Sequence, residues 1–368
     1  MASINLASAF SNKLQEAFKQ SSLTDSATGK DYSFSGLRSI KIWSVDTVPL
    51  TDYKRSGMSR YGDPTELGDT VQEMTMRADK AFSMTIDKGN QSDQMNIKGA
   101  TRAAKRETEQ VVIPYLDKYR MNEWCSHAGI IASLSAAPTK NTIIDAIFDA
   151  DEKMSDALVP AADRTLFVTN AMYKLLCLSD QFVGINDLGK VSIAKGDVGE
   201  VCGMRVKRVP GTYMPDGVYF FIKYKGSTVD PMKLNELNIH DNPPGISGNL
   251  VEGRVYHDSF VLEKKASGIY VAAAAAKVTA APSLSESSGT VTITGSGVVK
   301  YTVDGSDPRY SASAQVYSAA FKPGKGVTVK AYAVDTGKMQ SGVAAHTAAA
   351  VGSISTACTS QASSTPSG

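Results

Sequence analysis

Apolar positions follow three different periods along the 368-residue chain. Near the N-terminus Leu6, Phe10, Leu14 and Phe18 recur every four residues, which predicts a short amphipathic helix able to pack on its own subunit or on a neighbour. Residues 21–36 are polar and turn-rich and read as an extended arm. From Leu37 to Asp87 the period drops to two. Ile40 and Ile42 alternate with Lys41, and Phe82, Met84 and Ile86 alternate with Ser83, Thr85 and Asp87. Residues 45–71 between them are rich in Gly, Pro, Asp and Arg, so the pattern predicts an extended β-hairpin with a long polar tip. A two-stranded ribbon is marginal alone in water and needs a surface to lie on, which here could belong to another subunit. A helical period then sets in over Ser92–His127, with Met95, Gly99 and Ala103 on one track and Val111, Val112, Tyr115, Leu116 and Tyr119 following. Ser92 is placed to cap this helix, Asp93 puts negative charge in its first turn, and Glu109 can answer Lys105 at i,i+4. Such a helix is roughly 50 Å long. Pro114 inside it predicts a kink.

The remainder alternates between helical and strand patterns. Thr139 or Asn141 can cap a helix carrying Ile143, Ile144, Ile147, Phe148 and Met154 on one face. Residues 164–169 read as a strand, with Asn170 capping a short helix after it. Residues 199–210 read as a turn and strand, and the near-continuous apolar run 218–224 as a buried strand. Residues 250–272 predict two closing strands joined by a Lys-Ala-Ser-Gly turn. The composition shifts after the alanine run Ala272–Ala276. From Lys277 the chain is rich in Ala, Ser, Thr, Gly and Val, and three short alternating strands predict a separate all-β module, followed by a polar low-complexity tail.

Charge and chemistry narrow the function. A net charge of +2 argues against a strongly electrostatic nucleic-acid binder, though it leaves room for a small basic patch. No run of about 18 apolar residues appears, so no transmembrane helix is expected, and the N-terminus does not read as a secretory signal. Cys125, Cys177, Cys202 and Cys358 have neither CxxC spacing nor histidine pairs beside them, and reduced thiols are the simplest reading. His127 follows Cys125 closely, but two ligands do not make a metal site. Phosphate-loop, nucleophile-elbow and HExxH patterns are missing, and the glycines of 196–203 do not open a capped helix after a strand. Asp149, Asp151 and Glu152 lie on one predicted helix as a solvated face. Asp304-Gly305 and Asp307-Pro308 are turn chemistry first, with a calcium site the lesser reading. The residues therefore nominate no catalytic, cofactor or metal site. The candidate contact residues lie at the hairpin tip: Tyr53, Arg55, Arg60, Tyr61, Asp63 and Glu66. Their mixed charge favours inter-subunit ion pairing over nucleic-acid contact.

Several short stretches carry a family resemblance. They are Lys30–Tyr32, Thr47–Gly62, Asp69–Met76, Phe82–Gln91, Val112–Arg120, Ala162–Leu176 and Val251–Leu262. In that order they resemble the major capsid proteins of tailed bacteriophages, with their HK97-like fold. The resemblance implies an α+β chain. Its parts would be an N-terminal arm (1–36), an extended β-hairpin loop (37–91), a spine helix with peripheral region (92–137), a central α/β axial domain (138–240) and returning peripheral strands (241–276). Tyr301–Pro308 and the residues around 329–341 resemble the small C-terminal β-sandwich module of chitobiases, implying an Ig-like sandwich over 277–347 and a flexible tail over 348–368. The capsid resemblance implies a non-enzymatic protein that self-assembles through pentamers and hexamers into an icosahedral shell. It further implies assembly in the host bacterial cytoplasm, residence in the virion, no membrane, and non-specific contact with packaged double-stranded DNA. A portal and, where used, scaffold or cement proteins would be its other partners. Two other classes stand beside this one. One is a surface adhesin whose β module binds carbohydrate. The other is a glycosidase with an appended β module, for which no carboxylate pair is nominated.

Overall fold

The computed structural model describes residues 21–29, 39–45, 47–48, 50–64, 66–88, 99–179 and 199–348. The Leu6–Phe18 helix, Ser92 with Met95, and Cys358 lie outside them. Strands β1 (Ser39–Val45), β2 (Asp69–Thr75) and β3 (Ala78–Asp87) precede helices α1 (Ala100–Glu107) and α2 (Ile113–Ser126). Then follow β4 (Ile130–Leu134), α3 (Ile143–Asp156), β5 (Arg164–Thr169), α4 (Asn170–Cys177), β6 (Glu200–Val201), β7 (Met204–Val209) and β8 (Val218–Tyr224). Strands β9 (Thr228–Val229), β10 (Met232–Asp241), β11 (Gly248–His257), β12 (Phe260–Val261) and β13 (Ile269–Ala274) come next. Together with Asp335–Gly342 these form the larger of two compact units, which ends at Thr279.

The larger unit is organised on a mixed six-stranded sheet in the order β4-β13-β8-β5-β7-β6. β8 is antiparallel to both β5 and β13, while β5 runs parallel to β7 and β13 parallel to β4. The apolar run of β8 reflects cover on both faces. Phe220 and Ile222 join Leu166, Val168, Tyr270 and Ala272 under α3 and α4. Phe221 faces the other way, where its ring stacks on Phe167 at 4.6 Å and Trp124 of α2 lies 6.4 Å away. β13, expected among returning peripheral strands, is instead second in the central sheet, because its continuous Ile-Tyr-Val-Ala-Ala stretch is buried on both faces. On α3, Ile143, Ile147, Ala150 and Met154 are buried. Phe148 is exposed because it falls roughly 140° around the helix from Ile143. Thr169 rather than Asn170 caps α4, its Oγ1 accepting from Met172 N at 3.4 Å.

The long helix is interrupted as Pro114 predicted, though by a π turn rather than a simple kink. Residues Thr108–Val112 are π-helical and join α1 to α2 without a break. Proline has no N–H and its ring crowds the carbonyl of the residue four earlier, here Gln110, and the wider turn accommodates both. Lys105 and Glu109 pair at 3.8 Å, as their spacing indicated. α1 buries Ala100 and Ala104 against Ile86 and Val251 of a second sheet, ordered β10-β11-β3. This sheet corrects the expected hairpin. β3, with Phe82, Met84 and Ile86, pairs with β11, while the true hairpin is β1 with β2, closed from Ser39↔Thr75 to Val45↔Asp69. The returning strand is thus Asp69–Thr75, whose first three residues composition had placed in the tip.

The smaller unit, Ala280–Val334 with the residues from Val343, is all β as far as it is described. β14 (Ser283–Ser287) pairs with β15 (Thr290–Thr294). A four-stranded sheet runs β17-β16-β18-β19, from Gln315–Val316 (β17), Val298–Thr302 (β16), Thr328–Val334 (β18) and Ala344–Thr347 (β19). Val291, Ile293, Val299, Val329 and Ala331 fill its core, and Tyr301, Tyr317 and Phe321 pack against them. Asp304 accepts from Ser306 N at 3.0 Å and Ser313 Oγ at 2.6 Å, and Asp307 pairs with Arg309 at 2.7 Å, which is turn chemistry in both cases. The compact boundary falls beyond the alanine run, because Ala272–Ala274 complete β13 and Met339 returns to bond Lys277 O at 2.8 Å and Thr279 N at 3.0 Å.

The described part of the arm is docked on its own chain. Asp117, 2% exposed, accepts from Ser22 Oγ (2.8 Å), Leu23 N (2.8 Å) and Thr24 Oγ1 (2.6 Å). Arg120 Nη1 donates to Thr24 Oγ1 at 2.9 Å and Asp25 Oδ1 at 2.6 Å. Lys207 reaches Leu23 O at 2.6 Å and Lys223 reaches Ala27 O at 2.5 Å. The i,i+3 spacing of Asp117 and Arg120 puts both charges on one strip of α2, facing the arm. Replacing Asp117 with Ala strands the donors of Leu23 and Thr24, while Arg120 keeps Asp25 as its counter-charge. We expect a loss of roughly 2–4 kcal/mol for the larger unit. Urea unfolding followed by tryptophan fluorescence, which reports on buried Trp124, checks this; a loss below about 1 kcal/mol would mean water replaces the arm's hydrogen bonds.

Candidate assembly surface

The hairpin is anchored at its base and free beyond it. Gln72 clamps the backbone, donating to Val261 O at 2.9 Å while its Oε1 accepts from Glu263 N at 3.0 Å. Met74 is buried with Val229 and Leu262, and Ile42 packs against them. Two residues, Met76 and Arg77, join β2 to β3. Arg77 N donates to Asp258 Oδ2 at 2.8 Å, and its guanidinium lies 3.3 Å from Glu123 and 3.7 Å from Asp258. Asp258 also accepts from Tyr119 OH at 2.8 Å. Burial, followed by this bond to Asp258, pushes the Tyr119 hydroxyl well above the usual phenol range.

Past the base, apolar side chains point into solvent. Trp43 is 66% exposed, Tyr61 85% and Met58 96%, and Val45, Leu50 and Tyr53 are exposed with them. Isolated exposed apolar groups are ordinary on a protein surface, but a ribbon carrying this many along its length marks a contact surface. The tip has its own internal order. Lys54 N bonds Arg60 O at 2.9 Å, Thr51 Oγ1 bonds Tyr61 O at 3.0 Å, and the Tyr53 and Tyr61 rings meet edge-on at 5.1 Å. Gly62 is required there: its φ is +85° and a Cβ would come within 2.8 Å of Thr51 Oγ1. Of the six tip residues singled out from sequence, Tyr53 and Tyr61 are thus brought together. Arg60 Nε donates only to Gly57 O at 3.3 Å, and Arg55, Asp63 and Glu66 form no ion pair among the described residues. All six are exposed.

Sequence reasoning missed the charged cradle under the arm and the group beside the hairpin base. Lys223 inside an otherwise apolar strand was the available signal for the cradle. Burial lowers its ammonium to about 8, and the Trp124 ring lies 4.4 Å from Nζ. His257 gave no signal. It is 2% exposed, held edge-on between Tyr115 (5.5 Å) and Tyr119 (4.9 Å), and neither ring nitrogen has a hydrogen-bond partner among the described residues. Burial, reinforced by Arg120 and Lys80 against an opposing pull from Asp258, holds its pKa down at about 4. Among the described residues no group of three or more His, Cys, Asp or Glu side chains is placed to hold a metal. No described helix is long and apolar enough to cross a membrane. Burial raises the Cys125 thiol far above its ordinary range and Cys202 to about 11, so both are protonated at neutral pH.

Comparison with known proteins places this geometry. No curated protein matches the sequence. The family described as "Fn3 associated" matches residues 290–348, within the smaller unit. Among solved structures, a chain from Mycobacterium phage Che8 is 15% identical with a TM-score of 0.59, covering 72% of this chain and 96% of that one. "Capsid structure of the Cyanophage P-SCSP1u" is 13% identical with a TM-score of 0.60, over 73% of this chain and 92% of that one. "Asymmetric unit of bacteriophage PhiM1 mature capsid" is 12% identical with a TM-score of 0.57, over 73% and 91%. The fold is one that phage capsid structures share. This capsid-type fold is mixed α/β, and the coverage means that almost the whole length of those chains has a counterpart here.

Two outcomes follow from the hairpin and its base. Exchanging residues 46–68 for a two-residue Asn-Gly turn keeps the β1–β2 register. The variant should fold with unchanged thermal stability of the larger unit yet lose self-association in sedimentation velocity; unfolding, or association equal to wild type, would contradict a contact role. For His257, the native state resists a proton that the unfolded chain accepts near pH 6.5. Its contribution is intact above pH 6.5 and is lost as pH falls toward 4, at most about 3 kcal/mol in all. His257→Phe keeps the edge-on ring contacts without the titration. Its unfolding free energy should therefore decline less than wild type between those pH values; parallel curves would exclude His257 as the source.

Proposed function

We propose that this chain is the major capsid protein of a tailed double-stranded DNA bacteriophage, with an HK97-like fold and an icosahedral shell as its product. The observation that carries this reading is that phage capsid chains match this chain's fold over 91–96% of their own length and 72–73% of this one. The exposed apolar hairpin supports it independently, since such a ribbon needs a neighbour. In this reading the spine helix and central sheet form a rigid plate, and the hairpin tip reaches an adjacent subunit through Tyr53, Arg55, Arg60, Tyr61, Asp63 and Glu66. Repeated contacts close pentamers and hexamers into a shell, each contact weak and the ensemble strong. The role is structural and non-enzymatic, located in the virion, with portal, scaffold or cement proteins and packaged DNA as further partners.

The smaller unit, in this reading, is a decoration module on the outside of the shell. A carbohydrate-binding role requires aromatic rings laid out for stacking. Here Tyr301, Tyr317 and Phe321 pack on the core and Tyr332 is buried, which leaves decoration the better reading.

Purified protein should form megadalton particles, or rings of five or six that convert to them, seen by negative-stain microscopy and sedimentation. A monomer stable under all salt and concentration conditions contradicts the proposal. The second outcome concerns the module. Asp335 N lies 3.0 Å from Thr279 Oγ1, so residues 280–334 can be excised with a short glycine bridge, and the chain ended after Gly342, while Asp335–Gly342 stays in place. The excised chain should assemble into particles of unchanged diameter; loss of assembly would make the module part of the shell contact rather than a decoration.

A further inference from the structure

β10 is the outermost strand of the sheet β10-β11-β3. Its register with β11 is continuous from Leu234 to Asp241, the irregularity being confined to Met232/Leu234. All residues from Glu236 to Asp241 are exposed. Among the described residues no strand pairs with its outer side, so a row of backbone N–H and C=O groups is presented along that edge, and no proline or bulge blunts it between Glu236 and Asp241. The two faces of the strand differ. Leu237 and Ile239 extend the apolar row that β11 and β3 carry toward α1, Leu237 beside Gly253 and Phe82, Ile239 beside Val251 and Met84. They remain 47% and 42% exposed. Gly253 is required in this row, because a Cβ there would lie 2.3 Å from the Phe82 ring. Glu236, Asn238 and His240 occupy the opposite face, where His240 Nε2 lies 3.4 Å from Glu252.

Read outward from Asn238, the strand is complementary to its own reverse. Leu237 mirrors Ile239, and Glu236 mirrors His240. We propose that β10 pairs antiparallel with β10 of a second copy about a two-fold axis through Asn238, joining two three-stranded sheets into one of six strands. Each Leu237 then faces the second copy's Ile239 on the apolar face. Each Glu236 faces the second copy's His240 on the polar face, setting that imidazole between two carboxylates. The contact is isologous, so one strand supplies both halves of the match. It needs only two copies and holds whether or not a closed shell forms.

The register gives a direct test. Across the axis Asn238 is opposite itself, with Cα atoms about 4.5–5.5 Å apart, close enough for a disulfide. Asn238→Cys in the full chain should give a covalent dimer on mild oxidation, read on a non-reducing gel against the wild-type cysteine background. Ile239→Cys alone, which faces Leu237, should cross-link at least about tenfold more slowly. A mixture of Leu237→Cys and Ile239→Cys proteins should yield the heterodimer that neither gives alone. Equal rates for Asn238→Cys and Ile239→Cys, or no dimer from either Asn238→Cys or the mixture, overturn the pairing. Particles whose Asn238→Cys chains stay monomeric overturn it while the shell reading stands. Cross-linked dimers without particles uphold it while the shell reading falls.

Discussion

One ammonium group, that of Lys223, constrains much of the larger unit. It sits in the central strand with no solvent exposure, where an uncompensated charge is among the costliest things a fold can contain. Compensation comes from two directions: the carbonyl of Ala27 on the arm and the face of Trp124 on the long helix. Neither alone provides a full shell of partners. The helix must lie on that face of the sheet, and the arm must cross above it, for the strand to hold a lysine there at all. Asp117 fixes the residues before Ala27, Asp117 and Asp25 favour the charged form of Lys207, Asp25 pairs with Arg120, and Asp230 opposes the cost of burying Lys223. Arm, helix and sheet thus form one electrostatic unit, which explains why polar residues 21–29 lie docked on the helix and sheet.

The hairpin obeys the opposite constraint. Its base is satisfied within the chain through Gln72 and Met74, whereas its outer part carries rings and aliphatic groups that find nothing to cover them. The Arg77–Asp258–Tyr119 contacts aim that outer part by tying its root to the long helix.

Periodicity made the central strands legible, because Phe220–Ile222 and Leu166–Val168 are apolar wherever two covered faces require it. The long helix was readable from Ala100 onward, including its fault at Pro114, but Gly99, expected on its apolar track, is extended and caps α1 instead. Pairing was not. Ile40–Ile42 and Phe82–Ile86 share a period of two, and nothing in that period says which strand each will join. The partner of β3 lies in β11, far along the chain, and only the tertiary structure brings them together. The tip residues were legible as exposed and polar, but the apolar load before and among them, at Trp43, Leu50 and Met58, hides in a sequence that looks merely mixed. His257 and the charged cradle under the arm depend on neighbours from several elements, so no local signal announces them.

The π turn at Thr108–Val112 has a consequence for phase. In an α-helix each residue advances the side-chain direction by about 100°. The wider turn absorbs part of one such step, so that Ala100 and Ala104 address the outer sheet while Leu116 and Trp124 address the interior of the central region. The helix therefore works as a camshaft with two lobes set at a chosen angle. Loss of one residue between Thr108 and Val112 would leave both lobes intact and swing one of them by roughly a quarter turn. The small-residue face of α1 would then address empty space, and the sheet that carries β10 would lose its seat without a single core residue being changed.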